Sequence, residues 1–402
     1  MKKPTTITPE SVSEYRDFVE LRLRKRVLEA IEIVLDEEVD QALGCRGYER
    51  SEERRGYRNG VESRRVTTAV GTRELRVPRA RVRDEETGET KEFRSELLPR
   101  YQRRTREVDD AILATYLSGA NSRRIRKALK PLLGDEHLSK SSVSRVVSRL
   151  KERFEEWQSR DLSKETYAIV FLDGFHLKVR MAKRVVSVPV LAALGVAPDG
   201  QKRLLSLRLA VSEASTHWGS LIEDLQVRGL PAPMLVVSDG HKGLTKALEK
   251  WPESRLQRCV QHKSANLLGH CPAHARRELK RDYHRIVWAK DGIEARRAYA
   301  EFVTKWAALA PAVVRSLEEA GEQLLTFYEF PRAMWKSLRT TNALENLNRE
   351  FRRRTKTQAS FTTEASAVAL LFGLVASGQI KLRRIDGYQH LAEVLARGEV
   401  AA

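Results

Sequence analysis

The chain of 402 residues carries 73 Lys and Arg against 54 Asp and Glu, a formal net charge of +19. An excess of that size favours a polyanionic partner, most simply nucleic acid, and an aromatic content of only 7% argues for backbone contact with a duplex over a stacking platform for single strands. Cys45, Cys259 and Cys271 give no disulfide framework and suit a reducing cytoplasm, and the longest apolar stretches, 185–196 and 365–376, are too short to span a bilayer.

Residues 8–45 read as one amphipathic helix, with Pro9 at an N-terminal position and Leu21, Leu23, Val27, Ile31 and Leu35 recurring at roughly helical spacing. Residues 46–106 hold 18 basic and 11 acidic residues, with Tyr48, Tyr57 and Tyr101 interleaved. Two strand-like runs, 65–70 and 74–77, meet around Gly71-Thr72 and predict a hairpin. The guanidinium excess makes this segment either a solvated face or a phosphate-contacting one.

Residues 107–154 predict three helices. Gly119 ends the first, Asn121 or Ser122 caps the second, Pro131 and Gly134 break the chain, and Ser139 or Ser141 caps the third. Val143, Val146, Val147 and Leu150 form its apolar stripe. Ser141, Arg145 and Arg149 lie on the opposite face, as a recognition helix in a major groove would have them, although a plain three-helix bundle fits the same pattern.

Residues 165–260 predict an α/β core. Strands are expected at 167–172, 176–180, 185–195 and 204–211, then a helix capped by Ser215, a strand at 234–238, a helix at 242–251 and a strand near 256–260. That order fits an RNase H-like mixed sheet among several α/β folds. Helices are expected at 295–309 and 312–328, separated by Pro311, then from Asn342 through Phe351 and at 365–376, with a short helix and tail over 386–402.

Three carboxylates stand out. Asp173 and Asp239 each end a predicted strand, and Glu345 lies on a later helix. Each also has a plainer reading: Asp173-Gly174 is a hairpin-turn signal, Asp239 a helix cap, and Asn342-x-x-Glu345 a capping box. Taken together they would hold divalent ions for phosphoryl transfer on DNA, Mg²⁺ or alternatively Mn²⁺. Arg349 and Arg352, followed by Arg353 and Arg354, follow Glu345 and could bind flanking phosphates. Cys259-x-x-His262 and Cys271-x-x-His274 have the spacing of a zinc site. The reading preferred here makes Cys259 and His262 buried support beside the carboxylates.

Long stretches resemble the bacterial insertion-sequence transposases of the Mutator-like type. They include Gly56-Tyr57-Arg58-Asn59-Gly60, Tyr101-Gln102-Arg103-Arg104, Tyr116-Leu117-Ser118-Gly119, Leu172-Asp173-Gly174 and the run from Val237 to Leu244. Further matches are Gln257-Arg258-Cys259-Val260-Gln261-His262-Lys263, Thr340 through Asn348, and Arg352-Arg353-Arg354-Thr355-Lys356. The resemblance implies an RNase H-like DDE catalytic domain, interrupted by a helical insertion and preceded by a mainly helical DNA-binding region. Its catalytic and metal-binding residues carry over to Asp173, Asp239 and Glu345, with Cys259 and His262 in support. The expected activity is Mg²⁺-dependent cleavage and strand transfer at terminal inverted repeats, by a cytoplasmic, nucleoid-associated homodimer or higher oligomer on double-stranded DNA. A metal-dependent nuclease or resolvase, or a non-catalytic DNA-binding regulator, is the alternative. The expected organisation is 1–106 for DNA binding and dimerisation and 107–155 for a helix-turn-helix-like domain. Residues 165–270 and 336–385 form the two halves of the core, 271–335 the insertion and 386–402 a tail.

Overall fold

The computed structural model describes residues 12–68, 70–84, 87–120, 122–133, 140–181, 184–210, 212–355 and 364–399. The chain divides into two compact units, Met1–Val146 and Val147–Ala402. Pro9, Asn121, Gly134 and Ser139, assigned local roles above, lie outside the described residues.

The first unit is built on a long helix, α1 (Val12–Leu43), and a three-stranded antiparallel sheet: β1 (Gly56–Thr68), β2 (Gly71–Arg83) and β3 (Thr90–Glu92). The buried Leu35 packs with Val66, Leu75, Val77 and Leu98, and Val39 and Leu43 pack with Ala80. Only the C-terminal half of α1 thus buries a stripe, while Leu21, Leu23 and Val27 are exposed. The hairpin strands are far longer than the sequence pattern predicts, 13 residues each. Thr68 pairs with Gly71, so the turn precedes Gly71-Thr72 instead of falling on it. The Thr68 hydroxyl closes it, donating to Gly71 O at 2.9 Å and accepting from Val70 N at 3.2 Å. Three helices follow. α2 (Arg106–Leu117) stops before Gly119, whose φ of +96° suits a residue without Cβ. α3 (Ser122–Leu133) runs past Pro131, where a break is predicted, and α4 (Lys140–Ser159) buries Val143, Val146 and Leu150. The unit boundary falls inside α4.

The second unit is α/β. Its mixed sheet comprises β4 (Ile169–Met181), β5 (Arg184–Val196), β6 (Lys202–Leu209), β7 (Leu235–Ser238) and β8 (Arg255–Arg258), in the spatial order β6-β5-β4-β7-β8. The first three strands form an antiparallel meander, and β7 and β8 run parallel to β4. The strands predicted at 167–172 and 176–180 are one strand: β4 passes unbroken through Asp173-Gly174, with Asp173 opposite Ala192. A hairpin turn there is therefore excluded.

Side-chain alternation along these strands sorts the core. Val170, Leu172 and Val236 face α5 (Ser215–Val227) and α6 (Lys242–Ala247), packing with Trp218, Leu221, Ile222, Leu225 and Leu244. Each such fully buried side chain contributes on the order of 2 kcal/mol of apolar burial. Ser215 does not cap α5; Ala214 occupies that position without a side-chain bond. Residues of β4 at 171, 173 and 175 alternate to the opposite face. Between β8 and that face's helix come α7 (Val260–His270), α8 (Arg276–Val287), α9 (Gly292–Leu309), α10 (Pro311–Ala320) and α11 (Trp335–Leu338). Pro311 starts α10, and Gly321, at φ +50°, ends it, so the helix predicted to reach Tyr328 stops at Ala320. α12 (Asn342–Thr355) then packs on β4, with the Phe351 ring 5.9 Å from that of Phe175. α13 (Glu364–Ala376) packs on β6, and α14 (Leu391–Glu399) follows. Among the described residues, no helix is long and apolar enough to cross a membrane.

Candidate active site

β4 and β7 pair in parallel with Leu172 opposite Ser238. The next residue after each is an aspartate: Asp173 continues β4, and Asp239 directly follows the end of β7, so the two start from neighbouring strands spaced roughly 5 Å apart. Asp173 is 5% exposed. Asp239 Oδ1 accepts the backbone N–H of His241 at 2.9 Å, and His241 caps α6, so Asp239 shapes the turn without being the cap. Gly240 has φ +77°, and a Cβ there would lie 1.7 Å from Nε of the buried Arg258. The residue after Asp239 must therefore be glycine on two counts.

Glu345 comes from the first turn of α12. The capping-box reading fails: Asn342 is already helical, and Glu345 Oε1 instead accepts from Thr341 Oγ1 at 3.2 Å. Burial, and then the Asp239 carboxylate, push the Asp173 carboxyl up to about 7; Glu345 and Glu213 add to the effect and His262 opposes it. Asp173 thus feels both other predicted carboxylates. A fourth, Glu213, lies against Gly174, where a Cβ would come within 2.9 Å of its carboxyl group.

Asn348 was not singled out by sequence. It is 4% exposed, one turn beyond Glu345, and donates from Nδ2 to Asp173 Oδ2 at 3.1 Å. Its Oδ1 is buried without a hydrogen-bond partner. The available signal was its place in the stripe Leu344, Asn348, Phe351, which puts an amide on an otherwise apolar face.

Cys259, His262 and Thr341 form a second layer. Cys259 Sγ accepts from Thr341 N at 3.4 Å, and Thr341 Oγ1 lies 3.4 Å from His262 Nδ1, itself 3.9 Å from Glu345 Oε1. The hydrogen bond with Cys259, outweighing desolvation and aided by the Asp173 and Asp239 charges, raises His262 to about 9. The imidazolium can then donate to Thr341 Oγ1, whose own proton has Glu345 Oε1 at 3.2 Å and Cys259 Sγ at 3.5 Å as acceptors, the charged carboxylate being the stronger. Burial alone would raise the Cys259 thiol, but its hydrogen bonds with His262 and Thr341 bring it below its usual value. Thr341→Val keeps the shape and removes this relay. In an assay of the metal-dependent strand cleavage proposed below, we expect the rate to fall by about 10- to 100-fold with the melting temperature nearly unchanged; a wild-type rate would rule the relay out.

Two donor sets meet at Glu345. Among the described residues, the one group of three or more ligating side chains with donor atoms within 4.8 Å of each other is Cys259, His262 and Glu345. Its sulfur is already held by the Thr341 amide, which fits a supporting role. Asp173, Asp239 and Glu345 offer hard oxygen donors that do not all lie within 4.8 Å of one another; Asp173 is repelled by both others, which a divalent cation would relieve, and the orphaned Asn348 Oδ1 belongs to the amide that holds Asp173. That chemistry fits Mg²⁺ or Mn²⁺. Cys271 and His274 join neither set: Cys271 Sγ is bonded to Pro272 O, and His274 is exposed.

The sequence profile described as "Transposase, Mutator family" matches residues 7–381. The chain belongs to the Mutator family of transposases. It is 36% identical, over 88% of its length and 86% of the relative's, to the transposase for insertion sequence element ISRM5 of Rhizobium meliloti. It is 35% identical to that for IS406 of Burkholderia multivorans, over 87% and 89%. The identity is 30% to that for IS256 in transposon Tn4001 of Staphylococcus aureus, over 84% and 85%.

The basic residues proposed for DNA contact in this Mutator-family chain are distributed as follows. Ser141, Arg145 and Arg149 are exposed on α4, with Arg145 Nε donating to Ser141 O. Arg349, Arg352 and Arg353 are exposed on α12; Arg349 is bonded to Asn346 and Arg353 to Glu350. Arg354 is partly buried and donates to Gln379 Oε1. Of the α12 arginines, Arg354 is thus engaged with its own fold.

Proposed function

We propose that this chain is a DNA transposase that binds the terminal inverted repeats of its element and cuts and joins strands at an Asp173, Asp239 and Glu345 centre. The observation that carries the reading is that Asp173 and Asp239 directly follow the paired residues Leu172 and Ser238 of two parallel neighbouring strands, with Asp239 and Glu345 both within electrostatic reach of Asp173. The sheet supports an RNase H-like, DDE-type assignment: in chain order its strands lie third, second, first, fourth, fifth, with only the second antiparallel to the rest.

Divalent cations held by the three carboxylates would supply charge neutralisation at the reacting phosphate. The chain's own residues do the rest. Asp173 and Asp239 present oxygens from rigid strands, Asn348 fixes the Asp173 carboxylate, and the Thr341 hydroxyl fixes Glu345. Water attack on a phosphodiester at the element end frees a 3′-hydroxyl, and that hydroxyl attacks a second phosphodiester. Juxtaposing two ends calls for a dimer or higher assembly.

The test is a labelled duplex carrying an element end, incubated with the full chain and Mg²⁺, Mn²⁺ or EDTA. We expect metal-dependent nicking at the end, then joined products, with both lost in Glu345→Gln. Hydrolysis that never proceeds to joining would make the protein a nuclease or resolvase. Specific binding without cleavage in either metal would make it a regulator.

A further inference from the structure

The first unit holds a cleft of about 710 Å³ between β1, β2 and the segment from Phe93 to Arg103. Six arginines line it against two glutamates. One of those, Glu92, is shared by Arg79 and Arg100. Arg94 and Arg103 are exposed and have no ion-pair partner among the described residues. Guanidinium groups crowded this way repel one another and are matched by a polyanion.

At the lip stands Tyr101, 83% exposed, with the Arg100 guanidinium 5.3 Å from its ring centre. It occupies the third position of the turn closed by Gln102 N donating to Pro99 O, at φ +66°. Turns of this kind take glycine or asparagine there, because a bulky side chain strains the backbone. The turn is nonetheless held hard. Arg64 donates to the carbonyls of Leu98, Pro99 and Gln102, and the backbones of Thr67 and Arg103 are bonded at 2.9 Å. Among the described residues, the other non-glycine with positive φ is Tyr48, also a fully exposed tyrosine at the third position of a turn. Folding has no use for an exposed ring in a strained, clamped turn, whereas a ligand has.

We infer that this cleft is a binding site for the sugar–phosphate backbone of duplex DNA, with Arg94 and Arg103 taking phosphates and the Tyr101 ring packing against the adjoining sugar or base edge. The inference rests on the reading of the chain as a binder of element ends. It assigns that binding to a preformed sheet surface in addition to α4.

The experiment measures affinity of the full chain for an element-end duplex over a range of salt concentrations. For the Arg94→Ala/Arg103→Ala double variant we expect the slope of log affinity against log salt to shrink by about two, one contact each. Tyr101→Gly relieves the backbone, so its melting temperature should hold or rise while affinity falls by about tenfold at unchanged slope. Wild-type affinity and slope in both variants would overturn the proposal, as would loss of binding in Tyr101→Gly accompanied by a lowered melting temperature. If the unmodified chain binds no element end, the DNA-end reading itself fails, and that outcome is distinct from the other two.

Discussion

Asp239→Asn is expected to abolish strand cleavage while the metal-free protein gains stability relative to wild type as the pH rises. Losing a charged oxygen ligand that faces Asp173 across adjacent strands should cost on the order of a thousandfold or more in rate, about 4 kcal/mol of transition-state stabilisation. The stability gain follows from Asp173. Its carboxyl is raised to about 7 by burial and then by the Asp239 charge, against an ordinary value near 4. Between those values the folded chain holds a proton that the unfolded chain has released, so stability falls as pH rises through that window. Removing the neighbouring charge lowers the folded-state value and returns part of the loss, on the order of 1 kcal/mol. The variant also loses the attraction of Asp239 for the His262 imidazolium, at pH 4 and pH 8 alike, so in EDTA its melting temperature relative to wild type should rise from pH 4 to pH 8. Mg²⁺ at pH 8 should stabilise wild type and leave the variant nearly unmoved. Wild-type cleavage by a folded Asp239→Asn protein would sink the three-carboxylate assignment.

Glu319→Ala is expected to be the most damaging single change to the second unit outside its apolar core. Arg258 and Lys263 are 4% and 2% exposed. Arg258 Nη2 reaches both Glu319 oxygens at 3.0 Å, and Lys263 Nζ reaches Oε2 at 2.6 Å and Ser316 O at 2.8 Å. One carboxylate on α10 thus neutralises two cations rooted in β8 and α7. Without it, two buried charges are left uncompensated; Glu319 itself is 46% exposed, so the loss sits at the low end for a buried pair, about 3 kcal/mol. For a unit of this size that is a fall of about 10 °C in melting temperature. Glu319→Gln retains hydrogen bonds and should fall less. Burial of the cations makes the effect weakly dependent on salt, unlike that of the exposed pair Arg285–Glu301. A melting temperature within about 2 °C of wild type would show that solvent can reach Arg258 and Lys263 after all.

Periodicity and punctuation made most of the second unit legible. Four apolar residues before Asp239 read as a buried strand, and the apolar stripe of α12 placed Glu345 on the adjoining face. The misreadings have physical causes. Asp-Gly is a strong local turn signal, yet Phe175 and Leu177 continue the alternation of β4, and unbroken pairing with β5 through Asp173–Ala192 and Gly174–Leu191 overrides the local preference. β3 is three exposed polar residues with no apolar alternation, so nothing in Thr90–Glu92 announced a strand. The full length of the hairpin is hidden because arginines occupy the solvent side of β2 and the buried Pro78, next to Val77, interrupts the two-residue period of Leu75 and Val77. Asn348 and the Arg258–Lys263–Glu319 cluster depend on residues far apart in sequence meeting in space, which no local window reveals.

The placement of Glu345 also bears on how the protein is made. Asp173 is locked by strands that precede residue 239, but its third partner comes from α12, which pairs with β4 only after the whole run from α7 to α11 has emerged. A chain that ends between Asp239 and α12, on the ribosome or after truncation, carries both aspartates and lacks Glu345. On the function proposed above, such a fragment would keep the first unit's basic cleft and lack a complete cleavage centre, so strand breakage would be deferred until synthesis is nearly over.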